Sequence, residues 1–505
     1  MRILGISSGF HDASATMLED DEIVFAGHSE RYSKQKNDPF LNHELINEAL
    51  EFGQPDQIVL HEKDWAKRLR NIYGRNFHAL REPSQCKWIK EYYPQLKGIP
   101  IKSHWHHETH AAAGVLTSNF DECAVMVIDA IGEFDTATIW SWKKGSLQKL
   151  HSIWYPSSLG LFYSAMTQRA GLKPNEDEYI LMGMAAYGDD VKSRRLSRQM
   201  GYDFFFFHHA WISNKSCIRT KKNLQKGISK EMYKDYDNFT IARATQIQIQ
   251  ERILSYSEYA REITGSENLV FMGGVALNCV ANSKLFKIGW KDIHIMPNPG
   301  DAGSSLGAAA LELYNTTGKK VNWTGPYLGH NIEGPYPIKK ALASLKKGEL
   351  FGIANGKAEF GPRALGNRSL CADPRGPEVK SKMNVVKKRQ KFRPFAPMIL
   401  EEHLEEYFDM PGGKTTAPYM QFVARCKKPE EFPAIIHEDG TSRVQTVNKE
   451  QHPDLYKLLK AFYKETGCPM LLNTSLNIKG QPIVNDKADV EAFTKKYGIK
   501  VHTSD

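Results

Sequence analysis

"RILGIS SGFHD ASATML", Arg2 to Leu18, is the stretch on which the fold turns. An apolar run ends in serine, a glycine-containing turn follows, and a second run opens on small residues and threonine. Two apolar runs at this spacing predict a β-hairpin. A second unit of the same form stands at Cys123 to Trp142, as "CAVMVID", "AIGEFD" and "TATIWSW". Two such hairpins predict a duplicated α/β domain; two unrelated hairpins are the alternative.

Further along, "ILMGMAAY" (Ile180–Tyr187) and Phe239 to Thr264 read as helices, the second with apolar residues at helical spacing. "NLVFMGGVALN" predicts a strand that runs into Gly273-Gly274 and a helix. "DIHIMPNPGDAGSSLGAAALELY" predicts a strand, a Pro/Gly loop, and an alanine-rich helix from near Ala302. "NWTGPYLGHNIEGPY", Asn322 to Tyr336, is rich in Gly, Pro and Asn and marks a boundary. The expected division is therefore 1–330 and 331–505.

The chain has 505 residues, 41% hydrophobic and 25% charged, an ordinary globular composition with room for more than one core. No run approaches the roughly 20 apolar residues of a membrane span. The opening residues lack the pattern of a secretory signal. The seven cysteines are scattered and form no C-x-x-C pair. These features lead to an expectation of reduced thiols, a cytoplasmic location and no membrane partner. A net charge of +9 is a modest excess that suits an anionic substrate and permits nucleic acid.

Chemistry-bearing residues concentrate in a few places. "SHWHHETHAAAG" puts His106 and His110 at i and i+4 of a predicted helix, on one face, with His107 pointing elsewhere. Taken alone, the pair fits either a two-ligand metal arm or surface histidines. Asp129 and Asp301, in loops at strand ends, are candidate carboxylate partners. Gly273, Gly274 and Asn278 follow a strand, where backbone can approach a nucleotide closely. His11, in the first hairpin turn, is a candidate general base or a loop-bound histidine. The C-terminal half is basic. Arg363, Arg368 and Arg375 stand among Gly and Pro, and Lys387, Lys388, Arg389, Arg393 and Arg443 follow. Arginines so placed suit forked grips on phosphate, with solvated surface as the alternative.

In order, the chain carries "GFHDASA", "HHETHAAAG", "VIDAIGEFDT", "GGVALNCVAN", "PGDAGSSLGAA", "EFGPRALGNRSLCADPR", "KFRPFAP", "DGTSRVQTV" and "LNTSLN". Together they resemble the O-carbamoyltransferases of the NodU/CmcH type over nearly the whole length. The resemblance implies a duplicated actin-like (ASKHA) N-terminal domain followed by an α+β YrdC-like C-terminal domain. It implies that the second makes carbamoyl-adenylate from carbamoyl phosphate and ATP, with Mg accompanying the ATP. The first then passes the carbamoyl group to an acceptor hydroxyl beside a divalent metal: iron, manganese or zinc. Carried over, His106, His110, Asp129 and Asp301 hold the metal, His11 deprotonates the acceptor, and Gly273, Gly274 and Asn278 hold adenylate. Arg363, Lys387, Arg393 and Arg443 hold carbamoyl phosphate and ATP. Ala130, Gln390 and Leu476 depart from the usual pattern and remove none of these contacts.

The acceptor stays open between a small hydroxylated molecule or sugar and a hydroxymethylated pyrimidine in DNA. Phe207, Trp211, Lys215, Arg219, Lys221 and Lys222 pair aromatic rings with cations, as a nucleic-acid surface does, and would equally suit a core with a solvated flank. A homodimer is compatible with the chain. The competing classes are a tRNA threonylcarbamoyl-type transferase and a non-catalytic actin-like nucleotide-binding protein.

Overall fold

The computed structural model describes residues 1–74, 77–81, 84–204, 228–390 and 393–505. They form two compact units. The first comprises Met1–Gly9, Thr16–Glu22 and Gly53–Asn322; the second comprises Phe10–Ala15, Ile23–Phe52 and Trp323–Asp505. The chain enters the second unit for its final stretch inside the Gly/Pro/Asn-rich segment. The two short N-terminal pieces that join this unit are not visible in a linear reading.

Ten strands precede that crossing: β1 (Arg2–Ser7), β2 (Ser14–Glu19), β3 (Glu22–His28), β4 (Gln57–Leu60), β5 (Ile101–Ser103), β6 (Glu122–Ile128), β7 (Asp135–Lys143), β8 (Ser146–Trp154), β9 (Asn268–Met272) and β10 (Asp292–His294). They form two five-stranded sheets, ordered β3-β2-β1-β4-β5 and β8-β7-β6-β9-β10. The second order repeats the first, as the paired hairpins predicted. β6 runs antiparallel to β7 and parallel to β9, with Val125 opposite Trp140. Strands such as "CAVMVI" are buried without alternation, as befits strands covered on both faces.

Small residues let helices lie directly on this framework. A Cβ on Gly5 of β1 would sit 2.0 Å from Ser305 O. One on Gly307 would sit 1.9 Å from Thr109 O. The helix Ser304–Thr317 therefore presses against both β1 and the histidine helix, His106–Leu116. The long helix spans Asn238–Thr264, and the Asp237 side chain caps it by accepting from the N–H groups of Phe239 and Thr240. "ILMGMAAY" divides into a helix, Glu178–Met184, and a 3-10 turn, Ala185–Tyr187. No helix among the described residues is long and apolar enough to cross a membrane.

The second unit is built on a six-stranded mixed sheet. Its order is Gln445–Val447, Ala396–Leu400, Met470–Ser475, Arg368–Ala372, Phe351–Ala354, Val501–His502. Phe351, Ile353, Leu370, Met398, Leu471 and Leu472 pack its core.

Candidate metal centre and basic cluster

The four predicted metal residues converge. His106, His110, Asp129 and Asp301 are 3%, 0%, 5% and 6% exposed. His106 Nε2 lies 3.2 Å from Asp129 Oδ2 and 3.4 Å from Asp301 Oδ1. His110 Nε2 lies 3.3 Å from each of the same oxygens, and the two Nε2 atoms are 3.1 Å apart. Burial opposes a charged imidazole, yet Asp301 and Asp129 outweigh it and raise His106 well above its usual value. His110 is raised in the same way. Burial and Asp301 also oppose a charged Asp129, but the two imidazoles hold its carboxyl low. The two carboxylates thus favour positive charge beside them. Two imidazole nitrogens and two carboxylate oxygens, all within 4.8 Å of one another, suit a divalent iron, manganese or zinc ion.

Local structure explains the convergence. Trp105 precedes the histidine helix and has no side-chain cap to offer. Glu133 supplies the carboxylate instead: the His106 N–H donates to its Oε1 and Oε2, both at 3.2 Å, where the helix dipole favours an anion. The same Oε1 accepts the Lys63 N–H at 2.8 Å. Glycines at 273 and 274 let the backbone reach Asp129, whose Oδ1 accepts from the N–H of Gly274 (3.2 Å) and Ala130 (2.8 Å). Gly273 has φ +89°, and a Cβ there would meet Ile128 O at 2.2 Å. Gly273→Ala is expected to cost about 3 kcal/mol of stability, read as a lowered thermal midpoint.

Three neighbours escaped the sequence reading. Glu133 is one. His61 and Glu62 are the others, both buried just beyond β4, with the His61 ring 5.3 Å from that of His106. Burial lowers His61 to about 4. The available signal was a His-Glu pair at a strand end. His107 points away from the quartet: its Nδ1 is 3.0 Å from Thr138 Oγ1.

Asn278 is placed differently from an open adenylate contact. Its amide pairs reciprocally with Gln246 (3.0 and 3.1 Å) and its Oδ1 accepts from the Ala281 N–H. It fixes the loop after Gly273-Gly274. His11 belongs to the second unit, with Nδ1 3.0 Å from Asp12 Oδ2.

The basic residues separate by burial. Arg363, Arg393 and Arg443 are partly exposed. Lys387 is buried, and its ammonium donates to Ser475 O (2.6 Å), Ser475 Oγ (3.2 Å), Asn477 O (2.7 Å) and Asn477 Oδ1 (2.5 Å). Burial, Arg389 and Arg393 lower it well below the usual lysine value. It ties down the "LNTSLN" strand end and is not a solvent-facing grip. Arg368 and Arg375 correct the reading of Gly/Pro-flanked arginines as phosphate grips. Arg368 is 0% exposed and bonded to backbone carbonyls, while Arg375 grips Asp373 with Nε (3.0 Å) and Nη2 (2.7 Å). Phe207, Trp211, Lys215, Arg219, Lys221 and Lys222 lie outside the described residues. Phe204, the first of the four phenylalanines, is core: it is buried with its ring 5.1 Å from Phe162.

The fold and quartet define an α/β protein with a buried two-histidine, two-carboxylate centre. Residues 2–310 match the carbamoyltransferase N-terminus and residues 342–503 the carbamoyltransferase C-terminus. The uncharacterized protein sll1178 of Synechocystis sp. is 33% identical over 95% of this chain and 92% of its own. Nodulation protein NolO of Bradyrhizobium diazoefficiens is 35% identical over 76% of this chain and 74% of its own. The 3'-hydroxymethylcephem-O-carbamoyltransferase of Amycolatopsis lactamdurans is 26% identical over 99% and 97%. Among solved structures, component A of (R)-2-hydroxyglutaryl-CoA dehydratase from Acidaminococcus fermentans covers 63% of this chain and 100% of its own, at TM-score 0.37 and 17% identity. The chain belongs to the carbamoyltransferase family of the NodU/CmcH type, and it is an enzyme of that class.

Proposed function

We propose that the chain hydrolyses carbamoyl phosphate with one water to carbamate and phosphate, joins the carbamate oxygen to the α-phosphorus of ATP with release of pyrophosphate, and transfers the carbamoyl group of the resulting carbamoyl-adenylate to an acceptor hydroxyl. The observation that carries this reading is the buried His106–His110–Asp129–Asp301 quartet in a chain of this family. The repeated strand order supports a duplicated actin-like first domain, and the mixed six-stranded sheet is compatible with a YrdC-like second.

A divalent ion held by the quartet supplies Lewis-acid polarisation of a carbonyl oxygen and charge stabilisation. The protein's own residues do the rest. His11, oriented by Asp12 on its Nδ1 (3.0 Å), accepts the proton of the acceptor hydroxyl. The acceptor oxygen then bonds to the carbamoyl carbon and AMP departs. Gly273 and Gly274 open the backbone for the adenylate. Arg363, Arg393 and Arg443 offer planar forks to phosphate oxygens, and Lys387 holds the Ser475–Asn477 loop in place.

The test is mass spectrometry of hydroxylated acceptors incubated with the full chain, carbamoyl phosphate, ATP and Mg. A carbamate ester on the acceptor is the expected product. His11→Ala should slow transfer by about 10²–10⁴-fold while leaving carbamoyl-adenylate formation intact. Unchanged transfer in that variant would remove His11 as the base.

A further inference from the structure

We propose that the acceptor is a polynucleotide, a single strand or a base turned out of a duplex, and that it docks on an aromatic face beside the metal centre. The proposal rests on the carbamoyl-transfer reading and names its acceptor class. It uses none of the residues Phe207 to Lys222.

The helix Asp64–Tyr73 buries Ala66, Arg70 and Asn71 and turns an aromatic and apolar face outward. Trp65, Leu69 and Tyr73, at i, i+4 and i+8, are 58%, 49% and 62% exposed, and Phe77 just beyond is 60% exposed. A solvent-facing helix surface is ordinarily polar, and an apolar strip of this kind marks a recognition surface. The strip continues onto Trp105, 40% exposed, whose ring meets Trp65 edge-on at 5.6 Å.

This face is locked to the metal centre. Trp105 directly precedes the ligand His106. The Glu133 carboxylate accepts the N–H of Lys63, at the start of the aromatic helix, and that of His106, at the start of the histidine helix. Arg70 donates to Gly132 O, and Gly132 is so close to His106 that an added Cβ would sit 3.1 Å from the His106 Cβ. One carboxylate and one turn therefore set the spacing between the aromatic face and the quartet.

The chemistry of the face selects its occupant. Eight residues of helix from Trp65 to Tyr73 span about 12 Å, more than one sugar or heterocycle covers. Residues 63–74 and 84–97 carry seven Lys or Arg against two Asp or Glu, of which Arg70 is buried and Lys67 is paired with Glu62. The Lys63 ammonium lies 5.6 Å from the Trp105 ring and donates to Ser103 O, and the Lys87 side chain is 66% exposed beside Glu91 (3.7 Å). Exposed rings along one helix face, with cations beside them, match a chain of bases joined by phosphates. A self-association surface would be depleted in lysine.

The experiment uses the full chain and a fluorescent single-stranded DNA carrying 5-hydroxymethylcytosine, which has the hydroxyl that transfer needs. Anisotropy should show binding that weakens steeply with salt. Trp65→Ala and Phe77→Ala should each weaken it about tenfold. Trp65→Phe should restore most of the affinity, and carbamoyl-phosphate-dependent ATP–pyrophosphate exchange should be unchanged in all three. A wild-type chain that exchanges but binds no oligonucleotide overturns the proposal, as do alanine variants that bind like wild type. So does Trp65→Ala splitting a dimer without loss of oligonucleotide affinity, which would make the face a self-association surface. Oligonucleotide binding without exchange would remove the carbamoyl reading and leave the nucleic-acid face standing.

Discussion

On the proposed metal reading, His110→Ala is expected to abolish divalent-metal binding, whereas His107→Ala keeps it near wild type. The two residues are three apart on one helix and equally buried, so burial alone does not separate them. Direction does. His110 Nε2 is 3.3 Å from both Asp129 and Asp301, while His107 faces Thr138 and burial lowers it to about 3. Outer partners of a metal ligand typically contribute about 10–100-fold in affinity, so losing a ligand should exceed about 100-fold. The sign of the pH dependence follows from the raised values of His106 and His110: protons compete with the metal, so affinity climbs as pH rises through those values and falls in acid. Elemental analysis and chelator competition measure both. Equal losses in the two variants would contradict the assignment of His110, and not His107, as a ligand.

Arg368→Met is expected to destabilise the second unit by about 4 kcal/mol or more. The guanidinium donates to five backbone carbonyls: Asn485 O (3.0 Å), Asn355 O (3.1 Å), Gly356 O (3.1 Å), Asn367 O (2.8 Å) and His330 O (2.8 Å). Burial pulls its pKa down to about 10, so it stays charged at neutral pH. Removal leaves buried acceptors without donors. Arg368→Lys should rescue little, because one ammonium does not reproduce a planar fork that reaches five oxygens. Chemical unfolding measures the change, with Arg363→Met as the milder comparison. An Arg368→Met chain that unfolds at the wild-type midpoint would contradict the structural role.

These arginines show where sequence and structure part. Arg363 and Arg368 stand five apart among the same Gly and Pro residues, and nothing local tells which one is buried. The distinction comes from strand Arg368–Ala372 pairing with Phe351–Ala354 and Met470–Ser475, a long-range fact. Lys387 is similar: its partners Ser475 and Asn477 are almost ninety residues away. The convergence of the His/Asp quartet was legible because each half of it is local. An i, i+4 histidine pair is fixed by helix geometry, and Asp129 and Asp301 sit at strand ends. Glu133 and His61 were not legible, because their place depends on how the turn after β6 and the end of β4 meet the histidine helix. The repeated hairpins were legible, and the strand order repeats with them. The excursions of residues 10–15 and 23–52 into the second unit left no local mark.

The measurement that bears most directly on the function is ATP–pyrophosphate exchange by the full chain, with and without carbamoyl phosphate. Exchange is expected only when carbamoyl phosphate is present. Exchange that ignores carbamoyl phosphate, or none with iron, manganese or zinc supplied in turn, would contradict the proposed function.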